Sequence, residues 1–387
     1  MAEAAKPGAT RLAVVGASAR AAAFSAIRAG FEVVAADLFA DADLTARCPA
    51  TRIVDYPSDL EGWLAQQDVD AWIYTGALEN HPDLVDRLAS IRPLWGNAGE
   101  PLRRVRDPVE LQSILARAGV PFPETRRSAE GLPLDGTWFC KTYRGSSGSG
   151  VWLLDSEEAL ARAAAEVAVF QKRIVGTPAS AVSLLLEGRV SRLEGLTEQL
   201  VGEPCFAAGR WSYCGSVERP DWSSSVELHT GVTAALAIDA GLVGVVGIDL
   251  VYDGANYWVV EVNPRFTASC EIVESFRPRS VVAGHAVANS WRRQAAAPRS
   301  PAPPRLCGKA ICFAKEPVVV PPAFGMWAIG EAASGRVADV PVIGAPIDVG
   351  QPIITVLAGE PAAGVRSRLE ARAQEVYRRL ALPGAGG

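Results

Sequence analysis

Short apolar runs alternate with helical patterns at the start of the chain. Arg11–Gly16 (RLAVVG) reads as a strand, followed by small residues and a helical pattern to Ala29, which Gly30 ends. Phe31–Ala36 and Val69–Thr75 read as two more strands, and Leu94–Gly96 as the start of another. Strands alternating with helices predict a parallel, doubly wound sheet, with ligands at the carboxyl ends of its strands.

Further along, Asp107–Ala118 predicts a helix with Pro108 in its first turn, stopped by Gly119 and Pro121. Trp138–Thr142 and Val151–Leu154 read as strands either side of a glycine/serine loop, Arg144–Gly150. Ser156–Ala168 predicts a helix, Phe170–Leu186 and Glu194–Ala208 mostly strands, and Ser224–Ala240 mainly helix. Val245–Tyr252 and Tyr257–Val262 are apolar strands joined by Asp253-Gly254-Ala255-Asn256, a hairpin signal. Ala295–Pro304 is proline-rich and marks the clearest domain boundary. Short strands and turns are expected from there to about Gly359, then an arginine-rich amphipathic helix over Val365–Leu380.

Composition narrows the function classes. The 387 residues suffice for two or three domains, and a net charge of -5 argues against a nucleic-acid or membrane-surface protein. No apolar run is long enough to cross a membrane, and Met1–Thr10 has no signal-peptide core. The seven scattered cysteines form no CxxC pair and read as reduced thiols of a cytoplasmic protein. Only five of the 38 basic residues are lysines, which draws attention to Lys141 beside the glycine-rich loop.

The strongest chemical signal is Gly247–Arg265 (GIDLVYDGANYWVVEVNPR). Asp249, Glu261 and Asn263 are oxygen ligands on two arms of one hairpin, and strand alternation puts Glu261, Asn263 and Arg265 on one face. Two carboxylates and an amide oxygen suit Mg²⁺ with substrate phosphates, and Arg265 adds a cation for a phosphate or carboxylate. A surface hairpin with solvated charges is the plainer reading, but the flanking VGVVGI and WVV runs imply buried strands, where carboxylates need a partner.

Lys141 ends a strand and precedes Gly145, Ser146, Ser147, Gly148 and Gly150, an arrangement that can close backbone N–H groups over phosphates. Alone, such a loop reads equally well as a linker. Gln171, Lys172, Arg173 and Ile174 fit a strand running into a turn beside an adenine, or a plain edge strand. Ser18 and Arg20 follow the first strand, where an anionic substrate group binds well at a helix N-terminus. Cys140 has no visible histidine partner, so no cysteine nucleophile is expected.

Together these segments resemble the ATP-grasp superfamily: GVPFPET, FCKTYRGSSGSGV, VFQKRIVGTPAS, VGIDLVYDG and WVVEVNPRF occur in its order over roughly residues 10–290. The pattern resembles in particular the carboligase branch related to biotin carboxylase. The resemblance implies a mixed α/β and α+β architecture. It has a doubly wound pre-ATP-grasp domain (1–105), an ATP-grasp domain of two lobes (106–295) and a small β-rich C-terminal domain ending in a helix (303–387). It implies Lys141 on ATP phosphates, Gly145–Gly150 as the phosphate loop, and Gln171–Ile174 at the adenine. Asp249, Glu261 and Asn263 would hold Mg²⁺, with Mn²⁺ as the alternative ion. Arg265 and Lys141 would be the catalytic cations. Family members often carry a lysine where this chain has Pro108, and Arg106 is the substitute expected here.

The implied activity is ATP-dependent ligation of a carboxylate to an amine through an acyl-phosphate, giving ADP and phosphate. Addition of an amino acid such as glutamate to a small amine or a one-carbon carrier cofactor precursor fits the analogy. Two other readings stay open: a biotin-carboxylase-like carboxylase using carboxyphosphate, and a non-catalytic ATP-binding sensor subunit. Small-molecule substrates are the expected partners, and a homodimer is compatible with the family.

Overall fold

The computed structural model describes residues 9–186, 191–219, 226–275, 280–291 and 305–381. The N-terminal part holds a four-stranded parallel sheet in the order Ala50–Arg52, Glu32–Asp37, Arg11–Val15, Ala71–Tyr74. Helix Arg20–Arg28 covers one face through Ala22, Ala23 and Ala26, small enough to let the backbone approach the strands. Helix Pro82–Ile91 turns Val85 and Leu88 into the core on the other face. The doubly wound expectation therefore holds. The strand expected at Leu94–Gly96 reduces to one parallel bridge between Trp72 and Leu94. Pro93 offers no N–H to a ladder, and Gly96 leaves the strand at φ +149°.

A small lobe follows. Its sheet runs Thr125–Arg126, Ala168–Lys172, Trp138–Thr142, Val151–Leu153, with antiparallel pairing. Helix Glu157–Ala165 begins at Ser156, whose hydroxyl accepts from the Ala159 N–H. Trp138, Cys140, Trp152 and Phe170 fill its core.

The main sheet has eight strands, ordered Tyr257–Asn263, Gly244–Tyr252, Thr177–Leu185, Ser191–Val201, Tyr213–Glu218, Leu306–Phe313, Pro352–Gly359, Val337–Ala338. Its last three strands come from the region expected to be a separate C-terminal domain. Gly215 pairs with Ala310 across the junction, so Tyr213–Glu218 offers no free edge there. The C-terminal region thus continues the preceding sheet, and its core around Phe324, Val356 and Leu369 is shared with Leu200, Phe206 and Cys214. The predicted boundary at Ala295–Pro304 lies outside the described residues.

One element departs from the expected strands and turns: Pro322–Ala333 is a 12-residue helix. Gly325 and Gly330 lower its helix propensity, but Pro322 suits a first-turn position and burial of Phe324 and Ala328 favours the helix. Helix Val365–Leu380 forms as expected and buries Leu369, Ala373 and Val376 along one stripe. The seven cysteines are free. Among the described residues no helix is long and apolar enough to cross a membrane.

Candidate functional site

The hairpin Gly244–Tyr252/Tyr257–Asn263 sets the centre of the site. Asp249 pairs directly with Glu261, and Gly247 with Asn263. Leu250 pairs with Val259, so Val260 is an extra residue and the strand bulges beside Glu261. Asn263 donates its side-chain amide to Asp249 Oδ2 at 2.9 Å. Gln199, two strands away, donates to Asp249 Oδ1 at 2.9 Å. The three expected metal ligands are therefore neighbours.

Arg106 closes helix Gly99–Arg106 and reaches across to the hairpin. Its Nη1 donates to Glu261 Oε1 at 2.7 Å and its Nη2 to Asn80 Oδ1 at 2.6 Å. Asn80 in turn donates to the carbonyls of Arg144 and Gly145, both at 3.2 Å. One chain of polar contacts thus runs from the hairpin carboxylate to the glycine-rich loop. Glu261 remains 42% exposed at its side chain, so the carboxylate lines an open space while held from one side.

Arg265 donates through Nη2 to Glu79 Oε1 at 2.5 Å and to Asn263 Oδ1 at 3.2 Å. Glu79 is 2% exposed. Gly76 permits this approach: a Cβ there would lie 2.9 Å from Arg265 Nη2. Lys141 donates to Gln171 Oε1 at 2.5 Å, and Gln171 donates onward to Thr125. Gln171 is buried and positions the lysine.

The electrostatics follow from crowding. Burial, then the Glu261 charge, pushes the Asp249 carboxyl up to about 6. Burial would raise Glu261 as well, but Arg106 and Lys141 more than offset it and hold that carboxyl below its usual range. Burial lowers the Lys141 ammonium despite Glu261 and Asp249 nearby. Arg265 rises above its ordinary value: burial opposes the shift, and Glu79 outweighs it.

The glycine loop is built to a shape rather than left as a tether. Ser149 Oγ donates to the Ser146 carbonyl at 2.7 Å, and Ser146 N–H donates back to that hydroxyl. The Tyr213 N–H donates to the Ser147 carbonyl at 3.2 Å, docking the loop on the main sheet. At Gly148 a Cβ would stand 1.8 Å from the Trp211 carbonyl, and at Gly150 2.1 Å from Thr142 Oγ1. Both glycines also have positive φ.

Lys172, Arg173 and Ile174 continue from Gln171 at the end of strand Ala168–Lys172, whereas Ser18 and Arg20 lie at a junction of the first domain. Lys172 is exposed, Ile174 is half-buried, and the Arg173 guanidinium sits over the rings of Phe139 and Trp211. Arg20 is buried in ion pairs with Glu271 and Asp339, joining the first domain to helix Cys270–Ser275 and the C-terminal region. Ser18 stays exposed beside that junction. Burial raises the Cys140 thiol to about 11, which suits a core residue and not a nucleophile.

Glu79, Asn80 and Gln199 escaped the sequence reading. Glu79 and Asn80 follow strand Ala71–Tyr74 at its carboxyl end, and that position was the available signal. Nothing in the local sequence marks Gln199, whose role comes from sheet order alone.

Residues 105–269 match the ATP-grasp domain family. No curated protein matches the sequence. Among solved structures, biotin carboxylase from Campylobacter jejuni aligns at 15% identity and TM-score 0.64, over 95% of this chain and 91% of that one. N5-carboxyaminoimidazole synthetase from Staphylococcus aureus, complexed with ADP, aligns at 14% identity and TM-score 0.62, over 96% and 97%. An L-amino acid ligase from Bacillus licheniformis aligns at 16% identity and TM-score 0.65, over 96% and 97%. Residues 105–269 thus carry an ATP-grasp domain, and the chain shares the fold of these solved structures along almost its whole length.

Proposed function

We propose that this protein is an ATP-dependent carboxylate–amine ligase that activates the carboxylate as an acyl-phosphate and releases ADP and phosphate. The observation that carries the reading is Asp249 facing Glu261 across the hairpin, with Asn263 bonded to one and Arg106 to the other. Two neighbouring carboxylates, one raised by burial and by the other's charge, are the donor set a divalent cation relieves. Asp249, Glu261 and Asn263 would hold Mg²⁺, which when bound neutralises phosphate charge during transfer.

The chain's own residues supply the rest. Lys141, held by Gln171, presents its ammonium to nucleotide phosphates, and the backbone of Gly145–Gly150 closes over them. Arg106 takes the position that Pro108 cannot fill. Gln171–Ile174 border the adenine. Arg265, anchored on Glu79, faces the charge that develops as the carboxylate attacks the γ-phosphate, a fixed cation needing no reorganisation. Closure of the loop keeps water from the acyl-phosphate. The likeness to an L-amino acid ligase favours an amino acid as one substrate, such as glutamate added to a small amine or a one-carbon carrier precursor.

The test is product analysis with Mg-ATP and pools of amino acids, amines and bicarbonate. ADP and phosphate formed only with a carboxylate–amine pair support the ligase. Stimulation by bicarbonate alone replaces it with a carboxylase. Tight nucleotide binding without turnover in any pool leaves a sensor.

A further inference from the structure

A cavity of about 800 Å³ lies between the loop after strand Glu32–Asp37 and the segment running from Asp339 to Thr355. It sits at the carboxyl end of the parallel sheet, where doubly wound folds bind ligands. Its walls are mainly apolar, with Phe39, Ile311, Ile343 and Ile347 among them, and its volume suits a small organic molecule.

Asp41 lines this apolar space. It is 5% exposed, and its Oδ2 has no hydrogen-bond partner. A buried carboxyl group without a partner is costly to keep. Asp339, Asp43 and Asp37 surround it, and the nearby cation, Arg20, is already engaged by Glu271 and Asp339. The exposed Arg52 also lines the cavity, and its Nε donates to the Leu38 carbonyl. The local balance at Asp41 is negative and short of a cation.

A chain of contacts links the cavity to the candidate active site. Ser18 lines it, and the Ser18 carbonyl accepts from Thr75 Oγ1 at 2.8 Å. Thr75 precedes Gly76, against which Arg265 packs.

We propose that this cavity is the specificity pocket for one of the two ligase substrates, an apolar amine whose ammonium group is anchored by Asp41 while its reactive end leaves past Ser18 toward Arg265. The proposal rests on the ligase reading for its purpose, but its binding chemistry is separately measurable. The crowded environment supports it: burial, then Asp339, Asp43 and Asp37, pushes the Asp41 carboxyl well above its usual range, and an incoming cation would reverse that.

Calorimetry with hexylamine, hexanol and hexanoate on the full chain tests it, with MgADP affinity measured on the same samples. Hexylamine is expected to bind at least about tenfold more tightly than hexanol, and hexanoate most weakly. Asp41→Asn should reduce the amine to the level of the alcohol, with MgADP affinity unchanged. Ala345→Trp, which fills the cavity, should abolish binding of all three, and thermal melting checks that both variants fold. Equal affinity for amine and alcohol, a preference that survives Asp41→Asn, or no binding of any probe would overturn the proposal. Loss of MgADP binding by the wild type, with the amine preference intact, would instead count against the ligase reading alone.

Discussion

Glu261 stands directly across the hairpin from Asp249, yet the two carboxylates have opposite surroundings. Glu261 is paired with Arg106, whereas Asp249 accepts from the neutral side-chain amides of Gln199 and Asn263. The pair is therefore asymmetric: despite burial, Arg106 and Lys141 hold the Glu261 carboxyl below its usual range, while burial and the Glu261 charge push Asp249 up to about 6.

Proton and metal should compete at Asp249. A metal held by the ionised carboxylate, as proposed, would show full apparent affinity above the raised value and lose it as pH drops through it. Mg²⁺-dependent ADP binding, followed by calorimetry from about pH 5 to about pH 8, should weaken roughly tenfold per pH unit below about 6 and level off above it. A flat profile would contradict the coupling. Stability without ligand has the matching sign. The folded carboxyl binds its proton more tightly than the unfolded one, so this group costs stability as pH rises from about 4 to about 6.

Replacing Glu261 by Gln removes a proposed metal ligand and leaves Arg106 facing an amide. Half-saturating Mg²⁺ should rise about 10- to 100-fold or more. The Asp249 carboxyl should also fall toward its ordinary value as the opposing charge disappears, which carboxyl-selective NMR can follow. An unchanged Mg²⁺ requirement would remove Glu261 from the metal site.

Arg265→Met keeps the size of the side chain and removes the fixed charge. Turnover should fall about 100- to 1000-fold with nucleotide affinity nearly unchanged, as for loss of one preorganised transition-state donor. A change confined to nucleotide KM would move Arg265 from the reacting group to ground-state binding.

Gly148→Ala tests whether loop docking matters. The new methyl would collide with the Trp211 backbone, so the loop cannot dock as it stands. Nucleotide KM should rise several-fold while the melting temperature stays nearly unchanged, because the loop is only partly buried. Gly62→Ala is a suitable control: it lies in a helix with open space around it and should stabilise by about 0.5–1 kcal/mol.

Arg20 should behave as a structural residue. It is 2% exposed and meets Glu271 at 2.6 Å and Asp339 at 2.7 Å. Arg20→Ala removes a shared cation from two partly buried carboxylates, leaving Glu271 with Lys309 and Asp339 with the Thr355 hydroxyl, and should cost about 3 kcal/mol, read from denaturant unfolding. A stable variant with only a raised substrate KM would return Arg20 to the substrate site.

Much of this was legible because its cause is local. Hairpin turn chemistry and strand alternation place Asp249, Glu261 and Asn263 together, and Lys141 with its glycines lies on consecutive residues. What the sequence hid depends on elements distant in the chain. Asn80 reaches the glycine-rich loop only because the first domain docks there, and Gln199 reaches Asp249 only through the order of the main sheet. The proline-rich segment suggested a separate C-terminal domain, but sheet pairing at Gly215 and Ala310 is long-range and leaves no local signature. Helix Pro322–Ala333 was concealed by its glycines and its apolar composition, which read as well for strands.

The most direct measurement follows oxygen rather than rate. A pool of amino acids labelled with ¹⁸O in their carboxylates is supplied with Mg-ATP and small amines, and the released phosphate is examined by mass spectrometry. An acyl-phosphate requires one labelled oxygen to leave with the phosphate, alongside ADP. AMP with pyrophosphate, or ADP with wholly unlabelled phosphate during ligation, would contradict the account.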